Sequence, residues 1–145
     1  MVSYADTGIL VSAYLPYEET AAPARRAMGK APRPVILSPL TLLEVRNALN
    51  GAIHRGEIGK DDRDAVFTDI ERQLAAGFFR MADASQTDIY AKARELSDRY
   101  TPAMATRSLD LMHVATALLS KARVFLSTDI RQRKAAKAEG LTVMP

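Results

Sequence analysis

The chain has 145 residues, 48% hydrophobic and 26% charged, a globular balance at a length that fits one domain with a core of its own and leaves no case for disorder. It contains no cysteine, which excludes disulfides, thiolate metal sites and cysteine nucleophiles. A net charge of +3 and a pI of about 9.3 are compatible with a polyanionic partner without requiring one. The first apolar stretch is broken by Asp6 and has no basic segment before it, so it does not read as a signal peptide. No apolar run approaches the roughly 20 residues of a membrane span, and a soluble, cytoplasmic protein is expected.

Val2-Ser3-Tyr4-Ala5-Asp6 reads as a strand entering a βα loop. Residues 7–15 read as a short helix stopped by Pro16, and residues 18–28 as a second, ended by Gly29 and the Pro32/Pro34 pair. Val35-Ile36-Leu37 is a brief strand. Ser38-Pro39 then opens a long helix, with Ser as N-cap and Pro at the first helical position, carrying Leu40, Leu43, Leu49 and Ile53 before Gly56 closes it. Residues 61–76 form another amphipathic helix, with Val66, Ile70 and Leu74 at four-residue spacing. Gly77 ends it, and Phe78-Phe79-Arg80-Met81 is a third strand.

Ser85 and Asp88 resemble a capping arrangement for a helix to about Tyr100, broken by Thr101-Pro102. Ser108 is expected to cap a helix whose body is residues 109–120. Val124-Phe125-Leu126-Ser127-Thr128-Asp129 is a fourth strand running into an acid. Residues 130–139 form a helix terminated by Gly140, and Leu141-Thr142-Val143-Met144 supplies a last strand. This alternation predicts a mostly parallel α/β sandwich, with no repeat or linker to divide residues 1–145.

In an open α/β sheet, ligands gather in the crevice beyond the carboxyl ends of the strands. Asp6 and Asp129 both stand at such ends, although each is also a common helix N-cap. Glu44 lies in Leu40-Thr41-Leu42-Leu43-Glu44-Val45, and its helical neighbours Leu40, Thr41, Asn47 and Ala48 make a small, mixed stripe. A half-buried carboxylate there requires a cation or hydrogen-bond partners, and a structural ion pair with Arg46 or Arg55 is one way to supply them. Asp110 falls in the first turn of its helix, where an acid favours the dipole, and shares a face with His113 and Ala117. His113 alone reads as a core or supporting histidine rather than a ligand.

Together the four acids fit one mechanism. Oxygen-only sites without cysteine select hard cations, Mg²⁺ or Mn²⁺, which keep converging carboxylates ionised. Such ions activate water and stabilise charge on a phosphodiester under attack. Thr7, Ser127 and Thr128 are placed to orient ligands or water, and are equally good caps. The basic clusters Arg25, Arg26, Lys30, Arg33 and Arg131, Arg133, Lys134, Lys137 read either as solvated faces or as polyanion contacts.

Tyr4-Ala5-Asp6-Thr7, Leu43-Glu44-Val45, the segment from Arg107 through Leu109-Asp110-Leu111-Met112-His113 to Ala117, and Leu126-Ser127-Thr128-Asp129 with the following Ala135-Ala136-Lys137-Ala138-Glu139-Gly140-Leu141 resemble the PIN domain. Within it the likeness is to the VapC-type toxins of toxin–antitoxin pairs, and it runs in order across nearly the whole chain. The resemblance implies a three-layer α/β/α fold, a metal-dependent endoribonuclease usually found as a dimer, and a cognate antitoxin that inserts a segment into the acidic groove. Asp6, Glu44, Asp110 and Asp129 match the family's acidic quartet, catalytic and metal-holding. Thr7 and Thr128 match its supporting hydroxyls, with Ser127 beside them. Arg107, Arg131, Arg133 and Lys134 are the candidates for gripping the RNA backbone. Many relatives carry a further acid or Asn just after the last Asp, where this chain has Ile130-Arg131-Gln132-Arg133; that makes Asp129 the weak corner and leaves one ion or two open.

Rival readings are a housekeeping or catalytically silent PIN-like RNA-binding module, or an Asp-based phosphotransfer protein of the receiver or dehalogenase kind. The last wants a second acid close by, whereas Thr7-Gly8-Ile9 follows Asp6.

Overall fold

The computed structural model describes residues 1–15 and 19–145. Strands β1 (Ser3–Ala5), β2 (Val35–Leu37), β3 (Phe79–Met81), β4 (Val124–Leu126) and β5 (Thr142–Met144) form one sheet in the order β3-β2-β1-β4-β5. Each neighbouring pair is parallel, so the sheet expected to be mostly parallel is wholly so among the described residues. Helices α1 (Thr7–Tyr14), α2 (Ala21–Lys30), α3 (Pro39–His54), α4 (Lys60–Ala75), α5 (Gln86–Met104), α6 (Ser108–Leu119) and α7 (Ile130–Ala138) fill the connections.

Side chains that alternate along a strand divide between two faces, and here they define two cores. Ala5, Val35, Leu37, Val124 and Leu126 pack with Ile9, Leu10, Ala24, Ala27, Val45, Leu49 and Ile70 of α1 to α4. Tyr4, Ile36 and Phe125 pack with Ile89, Leu96, Leu111, Val114, Ala117 and Ala136 of α5 to α7. The layers are therefore α/β/α. None of the helices among the described residues is long and apolar enough to cross a membrane.

Three boundaries differ from expectation. Helix α2 runs through Gly29 to Lys30, and its terminator is Ala31, held extended (ψ 139°) because it precedes Pro32; the expected start at residue 18 lies outside the described residues. Helix α5 continues through Pro102 to Met104 and closes on Ala105 in the left-handed region. Pro102 removes one amide donor in the last turn, while hydroxyl contacts from Thr101 to Ser97 (3.2 Å) and Thr106 (2.7 Å) tie that turn down. Ser108 is the first residue of α6 rather than its cap; the cap is Arg107, whose amide donates to the Asp110 carboxylate at 3.2 Å.

The remaining starts follow the sequence signals. Ser38 and Thr41 make a reciprocal capping box at α3, and Ser85 accepts from the Asp88 amide at α5. Gly77 (φ 77°) and Gly140 (φ 88°) turn the chain after α4 and α7, in a region costly to side chains.

Candidate metal and nucleic-acid site

The order β3-β2-β1-β4-β5 places the switch point between β1 and β4. From β1 the chain crosses towards β2 and β3; from β4 it crosses the other way, to β5. The diverging connections leave a crevice at the carboxyl ends of this central pair, where such folds bind ligands. Ala5 is in register with Leu126, and the Asp6 amide donates to the Leu126 carbonyl at 3.0 Å. Asp6 and Ser127 thus emerge side by side, although far apart in sequence.

The Asp6 side chain is 2% exposed. It caps α1 by accepting from the Ile9 amide at 2.9 Å, and Ser127 Oγ donates to its other oxygen at 2.5 Å. Burial pushes its carboxyl above the usual range against those two hydrogen bonds, and the nearby Asp129 charge pushes the same way. Ser127 Oγ also accepts from the Asp129 amide at 3.0 Å, so one hydroxyl joins the two strand-end acids. Asp129 caps α7 through the Gln132 amide at 2.9 Å. Thr128 is exposed at the rim: a Cβ built on Gly8 would lie 3.9 Å from its Oγ1 and 3.8 Å from Asp6 Oδ1.

Asp110 reaches the same place from α6. Its Oδ1 accepts from Gln132 Nε2 at 3.1 Å, and its Oδ2 accepts from Arg107 Nε at 3.2 Å. Arg107 Nη2 also lies 3.8 Å from Asp129 Oδ2. Gln132 and Arg107 therefore bridge Asp110 and Asp129.

Glu44, on α3, is held by different partners. Its Oε1 accepts from Thr7 Oγ1 at 2.8 Å and meets His113 Nε2 at 2.6 Å. The His113 hydrogen bond holds its carboxyl below the usual carboxylate range; burial opposes this and Thr7 adds to it. The ion pairs considered from sequence do not form: Arg46 lies over the Phe67 ring and Arg55 pairs with Glu57. Glu44 joins the aspartates through Thr7, the residue after Asp6.

Of the basic candidates, Arg131 and Lys134 are exposed on α7. Arg133 is committed to structure, donating to the carbonyls of Ser127 at 2.8 Å and Pro145 at 2.9 Å. Sequence reasoning missed Gln132, whose spacing three residues after an N-cap Asp was a usable signal, and Tyr4, whose hydroxyl lies 2.7 Å from His113 Nδ1.

The donor chemistry suits a hard cation: carboxylate and hydroxyl oxygens, no sulfur, and a buried aspartate whose ionisation the protein alone opposes. Among the described residues, no three His, Cys, Asp or Glu side chains are gathered tightly enough to hold an ion as they stand. In this arrangement Arg107 supplies the positive charge facing Asp110 and Asp129.

A parallel α/β/α sandwich with acids converging on its switch point defines the class. The PIN domain family model matches residues 3–138, and the chain belongs to that family. No curated protein sequence matches it. Solved structures share the fold. Mycobacterium tuberculosis VapC20, described as a sarcin-ricin loop cleaving toxin, is 17% identical with a TM-score of 0.69 over 99% of both chains. FitAcB from Neisseria gonorrhoeae is 19% identical with a TM-score of 0.67, covering 100% of this chain and 97% of that one. A toxin–antitoxin complex from Klebsiella pneumoniae is 20% identical with a TM-score of 0.58, covering 88% and 86%.

Proposed function

We propose that residues 1–145 act as one nuclease domain, a Mg²⁺- or Mn²⁺-dependent endoribonuclease that is the toxin of a VapBC-type toxin–antitoxin pair. The observation that carries this reading is Asp6, buried at the switch point beside Ser127 and Asp129. An ionised carboxylate in that position stabilises the fold only when a cation approaches it. Family membership and the toxin descriptions of the structural neighbours support the reaction class.

Asp6, Asp110, Asp129 and Glu44 would hold the ion. When bound, such an ion supplies Lewis acidity that activates water and stabilises charge on the phosphodiester. The chain's own residues do the rest. Ser127 and Gln132 fix the aspartates relative to one another. Thr7 and His113 hold the Glu44 carboxylate. Arg107, Arg131 and Lys134 would neutralise the RNA backbone.

A cytoplasmic protein partnered by its antitoxin and by a second copy of itself completes the reading. The exposed side chains of Leu43, Tyr90 and Leu109 around one groove support self-association. Purified protein should cleave RNA with Mg²⁺ or Mn²⁺ and stop in EDTA, and Asp6→Asn or Asp110→Asn should abolish cleavage while leaving the circular dichroism spectrum intact. Cleavage in EDTA, or wild-type rates from both variants, would sink the metal mechanism. Growth arrest on expression, relieved by the adjacently encoded protein, tests the toxin assignment; no relief favours a housekeeping nuclease.

A further inference from the structure

Behind Glu44 a chain of hydrogen bonds runs into the core. Thr7 and His113 both bond the same carboxylate oxygen, Oε1, so Oε2 has no hydrogen-bond partner among the described residues. Oε2 is therefore the carboxylate oxygen available to a ligand. An ionised carboxylate only accepts, so His113 Nε2 carries the proton of that bond. The other ring nitrogen, Nδ1, is 2.7 Å from the Tyr4 hydroxyl.

Tyr4 is 0% exposed and His113 2%. The Tyr4 ring stacks on Phe125 with centroids 5.7 Å apart and planes at 9°. Its hydroxyl also reaches Ser38 Oγ at 3.2 Å and Thr41 Oγ1 at 3.4 Å, the two residues that cap α3. Tyr4 thus grips the start of the helix that carries Glu44, and through His113 it grips the Glu44 side chain itself. An apolar side chain at either position would fill the core with less desolvation. A polar pair set amid Leu111, Val114 and Phe125 calls for a reason beyond packing.

We propose that His113 and Tyr4 are positioning residues for Glu44, fixing the carboxylate so that Oε2 faces the crevice. The proposal rests on the ribonuclease reading above. Partners that orient a metal-facing carboxylate are worth roughly 10- to 100-fold in affinity or activity.

The test compares wild type, Tyr4→Phe, His113→Leu and His113→Gln, whose amide retains a donor in place of Nε2. Each is measured by Mn²⁺ calorimetry, by kcat and KM on one RNA, and by thermal melting. His113→Leu should lose about tenfold or more in Mn²⁺ affinity and in kcat, with KM for RNA unchanged. His113→Gln should restore both, and Tyr4→Phe should fall between. A folded His113→Leu that binds Mn²⁺ and turns over like wild type overturns the proposal, as does His113→Gln losing as much as His113→Leu. If His113→Leu does not fold, Tyr4→Phe decides: wild-type values in both measurements overturn it. If wild type binds Mn²⁺ but cleaves no RNA, the ribonuclease reading falls and the calorimetry alone judges the positioning role. Absence of Mn²⁺ binding by wild type overturns the positioning role itself.

Discussion

Asp6 is stabilised as a helix cap and penalised as a buried charge. Its folded carboxyl titrates above the unfolded value of about 3.9, so the folded state binds more protons between those two points. Stability contributed there is present at low pH and falls as pH rises through the window. Asp6→Asn should therefore raise the melting temperature at neutral pH and flatten the decline above about pH 4, measured by thermal melts across pH. Mn²⁺ at 100 times its dissociation constant should stabilise wild type by about 2.7 kcal/mol and leave Asp6→Asn unmoved. Arg107, exposed and paired with Asp110 and Asp129, would compete with a bound metal for the same oxygens. Arg107→Ala should tighten Mn²⁺ binding a few-fold by calorimetry; weaker binding would mean that Arg107 organises the acids instead. At this scale the strand-end acids were readable because a cap is a local event. The partners of Glu44 were not: Arg46 and Arg55 lie on or beside its own helix, whereas Thr7 and His113 come from elements that only the fold brings near.

Helix starts recur as chemistry. Asp6 and Asp129 cap α1 and α7, and Asp110 closes the start of α6, so three members of the quartet also satisfy amides that would otherwise lack partners. Substitution by Ala removes cap and charge together, whereas Asn keeps an acceptor; Asp129→Ala should melt lower than Asp129→Asn by a margin of about 1 kcal/mol. Ser85→Ala, at a cap remote from the acids, should cost a similar amount of stability and leave cleavage unchanged. The errors of boundary have the same physical root. Pro lacks an amide and reads as a breaker, yet near a helix end the donor Pro102 removes is one bond among many. Ser108 has the composition of a cap, but Asp110 inside the first turn accepts from the Arg107 amide, which fixes Arg107 as the cap and leaves Ser108 as the first helical residue.

Arg131 and Lys134 are exposed on α7, the helix that Asp129 caps. RNA binding should weaken linearly on a log–log plot against salt, and replacing either residue by Ala should reduce the slope by about 0.7 while base preference stays constant. Arg133→Ala should lower the melting temperature instead, because that guanidinium ties the end of β4 to Pro145. Sedimentation of wild type against Leu109→Glu tests pairing through the apolar face, with the variant expected at monomer mass.

The pairing of β1 with β4 also has a meaning in time. Ser127 and Asp6 are 121 positions apart, so a growing chain carries Asp6 and Glu44 long before the strand that closes the crevice has been made. Until β4 slides in beside β1, Asp6 lacks its hydroxyl partner and the sheet lacks its central neighbour. No product shorter than Asp129 carries all four acids. Under the proposed reading, a protein harmful to its maker stays harmless until Asp129 has been added, which gives an inhibitor that interval to be waiting.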